Sequence, residues 1–139
     1  MNSTSAFPVL LLGRVLGSAI FISGGWAKLM AMAATVGYFT KMGLPLPQVA
    51  FIVAVAVELG GGLLLLFGLL TRPVAVVLAV FCVVTALIAH TNFGDRVQEV
   101  NFMKNLAMAG GYLAFAVAGA GAFSLDAMLR RRRTVVSVA

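Results

Sequence analysis

Four acidic residues, one histidine and one cysteine are all that this chain of 139 residues offers of the side chains that carry much of enzyme chemistry. The lone Cys82 excludes an intramolecular disulfide, a CxxC thiol pair and covalent haem attachment. The lone His90 excludes bis-histidine haem ligation within one chain; a dimer-built or methionine-ligated haem stays formally open. No carboxylate–histidine group has metal-ligand spacing, so no metal is expected. Charge is equally scarce. Only 10% of residues are charged, against about 25% in a soluble domain that must build a polar shell. With 62% hydrophobic residues and a mean hydropathy of +1.08, the surface has to be covered by lipid.

Cut at its charges, prolines and turn residues, the chain gives four apolar runs at about residues 7–27, 47–70, 73–90 and 99–121. Each has roughly 18–24 residues, against the ~20 that cross ~30 Å of hydrocarbon as a helix. A barrel would show alternating segments of ~10 residues, whereas these runs are continuous. The expected fold is an all-α membrane protein: a four-transmembrane-helix bundle forming one domain over residues 1–139. Met30 to Met42 carries Tyr38 and Phe39 and reads as a short interfacial helix between the first two spans. Gly43-Leu44-Pro45-Leu46-Pro47 ends that helix and starts the next. Thr71-Arg72-Pro73 reads as a tight hairpin between spans two and three, and Asn92-Phe93-Gly94-Asp95 as a turn before span four.

Orientation rests on the basic tail, residues 122–139, where Arg130 to Arg133 follow the last run. Positive residues stay cytoplasmic, which places both termini and Arg72 on that side and Lys28, Lys41 and Arg96 on the other. The arginines read as an anchor on anionic headgroups, each worth ~1 kcal/mol. Ser124 is placed to cap a short helix, Asp126 precedes Arg130 by one turn, and Leu125, Met128 and Leu129 give an apolar face. One cluster without interleaved aromatics is no nucleic-acid surface, despite the net charge of +6. Arg14, Val15 to Trp26 and Ala31-Met32-Ala33 imitate a secretory leader. The apolar run begins ahead of that arginine, at Phe7, and Lys28 lies where a cleavage region is uncharged, so the segment is read as a retained span.

Glu58 is the only charged residue between Val49 and Leu70. A carboxylate in hydrocarbon costs several kcal/mol unless paired, hydrated or protonated, so it marks a candidate site. On the first span Arg14, Gly17, Ser18, Phe21, Gly25 and Lys28 share one helical face, and Gly13-x-x-x-Gly17 admits close packing. On the fourth, Asn101, Lys104, Asn105 and Met108 form a polar stripe. Counted from Pro47 and Lys28, Glu58 lies ~17 Å deep and Arg14 ~21 Å, a difference an arginine side chain spans. The expected ligand-binding set is Glu58 paired with Arg14, with Lys104, Asn101, Asn105 and His90 above it in a polar funnel. Structural readings stand beside this one. The pair serves equally to fix helix register, Lys104 to snorkel from a helix start, His90 as an interfacial end residue, and Cys82 as a small core residue.

Several segments resemble the DoxX family of small bacterial four-helix membrane proteins. They are Leu16-Gly17 through Phe21, Gly25 to Lys28, Gly43-Leu44-Pro45, Glu58-Leu59-Gly60-Gly61-Gly62, Gly68-Leu69-Leu70-Thr71-Arg72 and Asn101-Phe102-Met103-Lys104-Asn105-Leu106. In order and spacing they cover about Val9 to Asp126. The resemblance implies quinone-linked redox at the bacterial inner membrane, since the family is associated with a terminal quinol oxidase and with membrane oxidoreductase complexes.

The leading expectation is an inner-membrane subunit, or binding protein, for a quinone or similar lipophilic molecule, with redox centres supplied by a partner protein. No catalytic residue is assigned, and whether the chain is itself an enzyme stays open, as does a homo-oligomer. Two alternatives are retained. One is a small proton-coupled carrier working as a dimer, which Arg14 at similar depth argues against because it would occupy Glu58 and repel cations. The other is a scaffold for a soluble partner.

Overall fold

A computed structural model describes residues 3–136, with side chains from Phe7 to Arg131. Among the described residues every regular element is helical: α1 (Ser3–Met30), α2 (Met32–Lys41), α3 (Pro47–Val55), a π-helical segment (Ala56–Gly61), α4 (Gly62–Phe67), α5 (Thr71–Ala89), α6 (Arg96–Ala118) and α7 (Leu125–Val136). The side chains of Arg132 and Arg133, counted in the basic tail, lie outside the described residues.

The distribution of polarity is inverted relative to a soluble protein. Large apolar side chains such as Leu12, Leu16, Ile52, Val80 and Val117 are exposed, while Arg14, Ser18, Glu58 and Thr71 are buried. Among the described residues three helices are long and apolar enough to cross a membrane: Phe7–Met30, Pro47–Phe67 (α3, the π segment and α4 in one line) and Thr71–Ala89. This is an integral membrane protein. The fourth long helix, α6, has 23 residues but carries Arg96, Glu99, Lys104 and two asparagines in its first half. It starts earlier than the apolar run because Asp95 caps it, its side chain accepting from the Val97 amide at 2.9 Å.

Packing follows small residues. On α5, Ala75, Ala79, Cys82 and Ala86 are buried at coiled-coil spacing, which lets α6 run close along α5. α6 reaches α1 differently: Phe115 and Tyr112 fill the notches left by Gly13 and Gly17, and the Tyr112 hydroxyl donates to the Gly17 carbonyl at 2.6 Å. Phe21 packs on Tyr112 and Phe81, with ring centroids 5.4 and 6.1 Å apart, at the centre of the core. α2 has no buried residue and leans on α3.

One connection differs from the expected hairpin. The turn between α4 and α5 falls at Gly68–Leu70, both ends of which adopt left-handed backbone (φ +65° and 51°). Thr71-Arg72-Pro73 is instead the first turn of α5, where a proline's missing N–H has no intrahelical partner to lose. This turn is clamped from the end of the chain. Asp126 accepts from the Leu70 and Thr71 amides at 2.9 and 3.0 Å, and its own amide donates to the Gly68 carbonyl at 2.9 Å. Ser124 caps α7, accepting from the Ala127 amide at 3.2 Å.

Candidate functional site

The π segment decides where Glu58 points. A π turn holds an extra residue, so it widens the helix locally and turns side chains away from their α-helical register. It lies against α1 at a bare glycine contact: a Cβ on Gly25 would stand 2.7 Å from the Leu59 amide nitrogen. One turn on, a Cβ on Gly62 would stand 3.2 Å from the Ile22 amide nitrogen. With the two backbones this close, Glu58 is level with Gly24 and Gly25 and one helical turn below Lys28. The Lys28 ammonium donates to both carboxylate oxygens, at 2.8 and 3.0 Å. The lysine side chain remains 30% exposed and the carboxylate 11%, so the pair has one open side.

Arg14 is therefore not the partner of Glu58. It is 1% exposed, donates to the Phe123 carbonyl and lies with its guanidinium against Gly68, inside the clamp formed by Asp126. The depth estimate failed because it took the ends of α1 and α3 as level. Leu59 lies ~18 Å beyond Pro47, yet its contact Gly25 is only ~8 Å from the end of α1. α3 thus extends well past α1, and α2 fills the space above.

Glu58 and Lys28 open into a cavity of about 540 Å³ between α1, α2, α3, α5 and α6. Its walls are apolar: Phe21, Ala54, Phe81 and Met108 line the inner part, and Tyr38 and Phe39 come from α2. Lys104, Asn101, Asn105 and His90 line the same cavity; Arg14 does not. Asn105 is fixed, its amide donating to the Asn101 carbonyl at 3.0 Å and its oxygen accepting from the Thr85 hydroxyl at 3.3 Å. His90 Nδ1 lies 2.6 Å from Gln98 Oε1. The Lys104 ammonium and the Asn101 side-chain amide have no partner among the described residues. Lys28 and Thr85, outside the expected set, also line this cavity. The signal for Lys28 was its place on the buried face of α1, one turn beyond the two glycines that admit Glu58.

Chemically, this is a ligand-sized apolar chamber with one internally paired carboxylate and donor groups along one wall. Among the described residues it has no metal-binding cluster. The fold and the site together define a small helical membrane protein with a mainly apolar pocket between its helices. The chain belongs to the DoxX family, whose model matches residues 9–91. It is 41% identical to the inner membrane protein YqjF of Escherichia coli (strain K12) over 126 residues, covering 88% of this chain and 93% of that protein. It is also 41% identical over 128 residues to the inner membrane protein YphA of the same organism, covering 88% and 91%. To the putative oxidoreductase CatD of Bacillus subtilis (strain 168) it is 42% identical over 79 residues, 57% of each chain. No solved structure matches it.

Proposed function

We propose that the chain is an inner-membrane binding subunit for a quinone or a similar lipophilic molecule, serving a redox partner that supplies the electron-transfer centres. The observation that carries this reading is the 540 Å³ chamber, whose walls are mainly apolar with a few polar side chains among them. A quinone ring fits between aromatic walls such as Phe21 and Phe81, and its carbonyl oxygens can accept from Lys104 and Asn101. Glu58, held by Lys28, sets the polarity of the deeper wall. The relative named as a putative oxidoreductase supports the redox setting, and the two inner membrane relatives support the location. In this reading α6 is the fourth span, α2 lies at the interface, and both termini are cytoplasmic beside the basic tail.

The carrier alternative gains nothing from the site, because both oxygens of Glu58 are already bonded to Lys28. The test is to purify the protein in native membrane discs and extract bound lipids for mass spectrometry. Quinone should co-purify with the protein and be lost in Glu58→Gln; none in the native protein rejects the proposal.

A further inference from the structure

The charges around the chamber do not balance. It is lined by two ammonium groups, Lys28 and Lys104, and by one carboxylate, Glu58, which Lys28 neutralises. The chain has only four acidic residues, and each is engaged elsewhere. Glu58 holds Lys28, and Asp95 caps α6 through the Val97 amide. Glu99, one turn before Lys104, is bonded to Arg96 at 2.8 Å. Asp126 clamps the Leu70 and Thr71 amides. Lys104 is thus a cavity cation with no anion of its own among the described residues, beside an Asn101 amide that is also free. The remaining groups on this wall are committed: Asn105 to Asn101 and Thr85, and His90 to Gln98. Lys104 is exposed where it lines the chamber, so an ionised head placed there meets a positive charge that a neutral head of the same shape does not use.

We infer that the chamber prefers an amphiphile whose head carries one negatively charged oxygen, received by Lys104 with Asn101 beside it, over a neutral molecule of the same shape. This rests on the lipophile-binding reading above and narrows it to a ligand class: ionised enol, phenol or carboxylate heads on an apolar body.

The experiment uses the full chain in discs of zwitterionic lipid and two probes that share one body. One is an alkylated 2-hydroxy-1,4-naphthoquinone, ionised at neutral pH; the other is its neutral 2-methoxy ether. Binding is measured against empty discs, so that partition into lipid is subtracted. The ionised probe should bind on the order of tenfold more tightly, the gain of one charge-assisted hydrogen bond. Lys104→Gln should bring the two affinities together by weakening only the ionised probe, and Lys104→Arg should preserve the preference. Equal binding by the native protein overturns the inference while leaving the lipophile-binding reading intact. A preference unchanged in Lys104→Gln also overturns it and places that ammonium among lipid headgroups instead. Binding of neither probe rejects both.

Discussion

Along α1 the protein buries two polar centres, and they differ in what they leave unfinished. Around Arg14 the space is filled. The guanidinium is pressed on Gly68 and bonded to the Phe123 carbonyl, and Asp126 holds the α4–α5 turn through two amides. Around Lys28 and Glu58 the ion pair is complete but opens on the chamber, which Asn101 and Lys104 of α6 also line without partners among the described residues. Both centres contain a buried charge within an apolar helix, so an intramembrane charge alone does not mark a binding site. What distinguishes them is enclosure: Arg14 is shut in by this chain's own backbone, with its Nε and Nη1 left without hydrogen-bond partners, whereas the Lys28–Glu58 pair opens on a chamber. The first arrangement fastens the fold; the second lines a chamber.

Substitutions can break this contrast, beginning with the most damaging. Gly68→Ala places a methyl group on the Arg14 guanidinium at a residue with φ +65°. It should cost about 2–4 kcal/mol, seen as a large drop in thermal midpoint in detergent. Asp126→Ala strips the cap from the Leu70 and Thr71 amides and should cost about 1–2 kcal/mol, with faster tryptic cleavage after Arg130 and Arg131. Neither should change ligand affinity under conditions where the protein remains folded. Glu58→Gln should do the reverse. Because Lys28 keeps an open side toward the chamber, the loss in stability should be only about 1 kcal/mol while the bound lipophile disappears. If Glu58→Gln unfolds the protein as readily as Gly68→Ala, both centres are structural. The smallest effect is expected from Leu70→Gly, which relieves a left-handed leucine (φ 51°) and should raise stability by about 0.5 kcal/mol.

The clamp also has a pH signature. Burial by itself would raise the Asp126 carboxyl, but the Thr71 backbone amide, the Thr71 hydroxyl, the Leu70 amide and the charge of Arg130 together hold it below its ordinary value of 3.8. A carboxyl lowered in the folded state contributes stability above that ordinary value, and loses it as pH falls through the lower folded one. Tryptic protection is not usable there, so release of α7 should be followed by hydrogen exchange. Normalised to the intrinsic exchange rate at each pH, opening should stay constant from neutral pH to about 4 and rise only below that.

Much of the fold was legible because hydropathy is a local property. The three most apolar runs appear as helices near their expected bounds, and a short helix, α2, forms between the first two and carries Tyr38 and Phe39. The buried face of α1 was also legible, since Arg14, Ser18, Phe21 and Gly25 share it by spacing alone. Which of its cations met Glu58 was not. That depends on how far α3 rises past α1, a relation between two helices that neither sequence run encodes. The role of Asp126 left no local trace either. Its partners are backbone amides more than fifty residues away, and any residue type supplies an amide. The position of Arg14 is set by a carbonyl in the same way.

A π turn is in effect a one-residue insertion that the helix absorbs without breaking. One residue rotates an α-helix by about 100°, so α3 and α4, though collinear, present faces that a continuous α-helix could not present together. α3 contributes Ala54 to the chamber wall, while α4 turns Gly62 and Leu65 into α1 and the core. Gly60, whose Cβ position is open space, is the residue most easily removed. Its deletion would restore uninterrupted α-helix and leave composition almost untouched. It would also put one half of the helix out of phase with the other, so that the chamber and the core could no longer both be satisfied. The helix works as two surfaces joined at a fixed angular offset, and the extra residue is the offset.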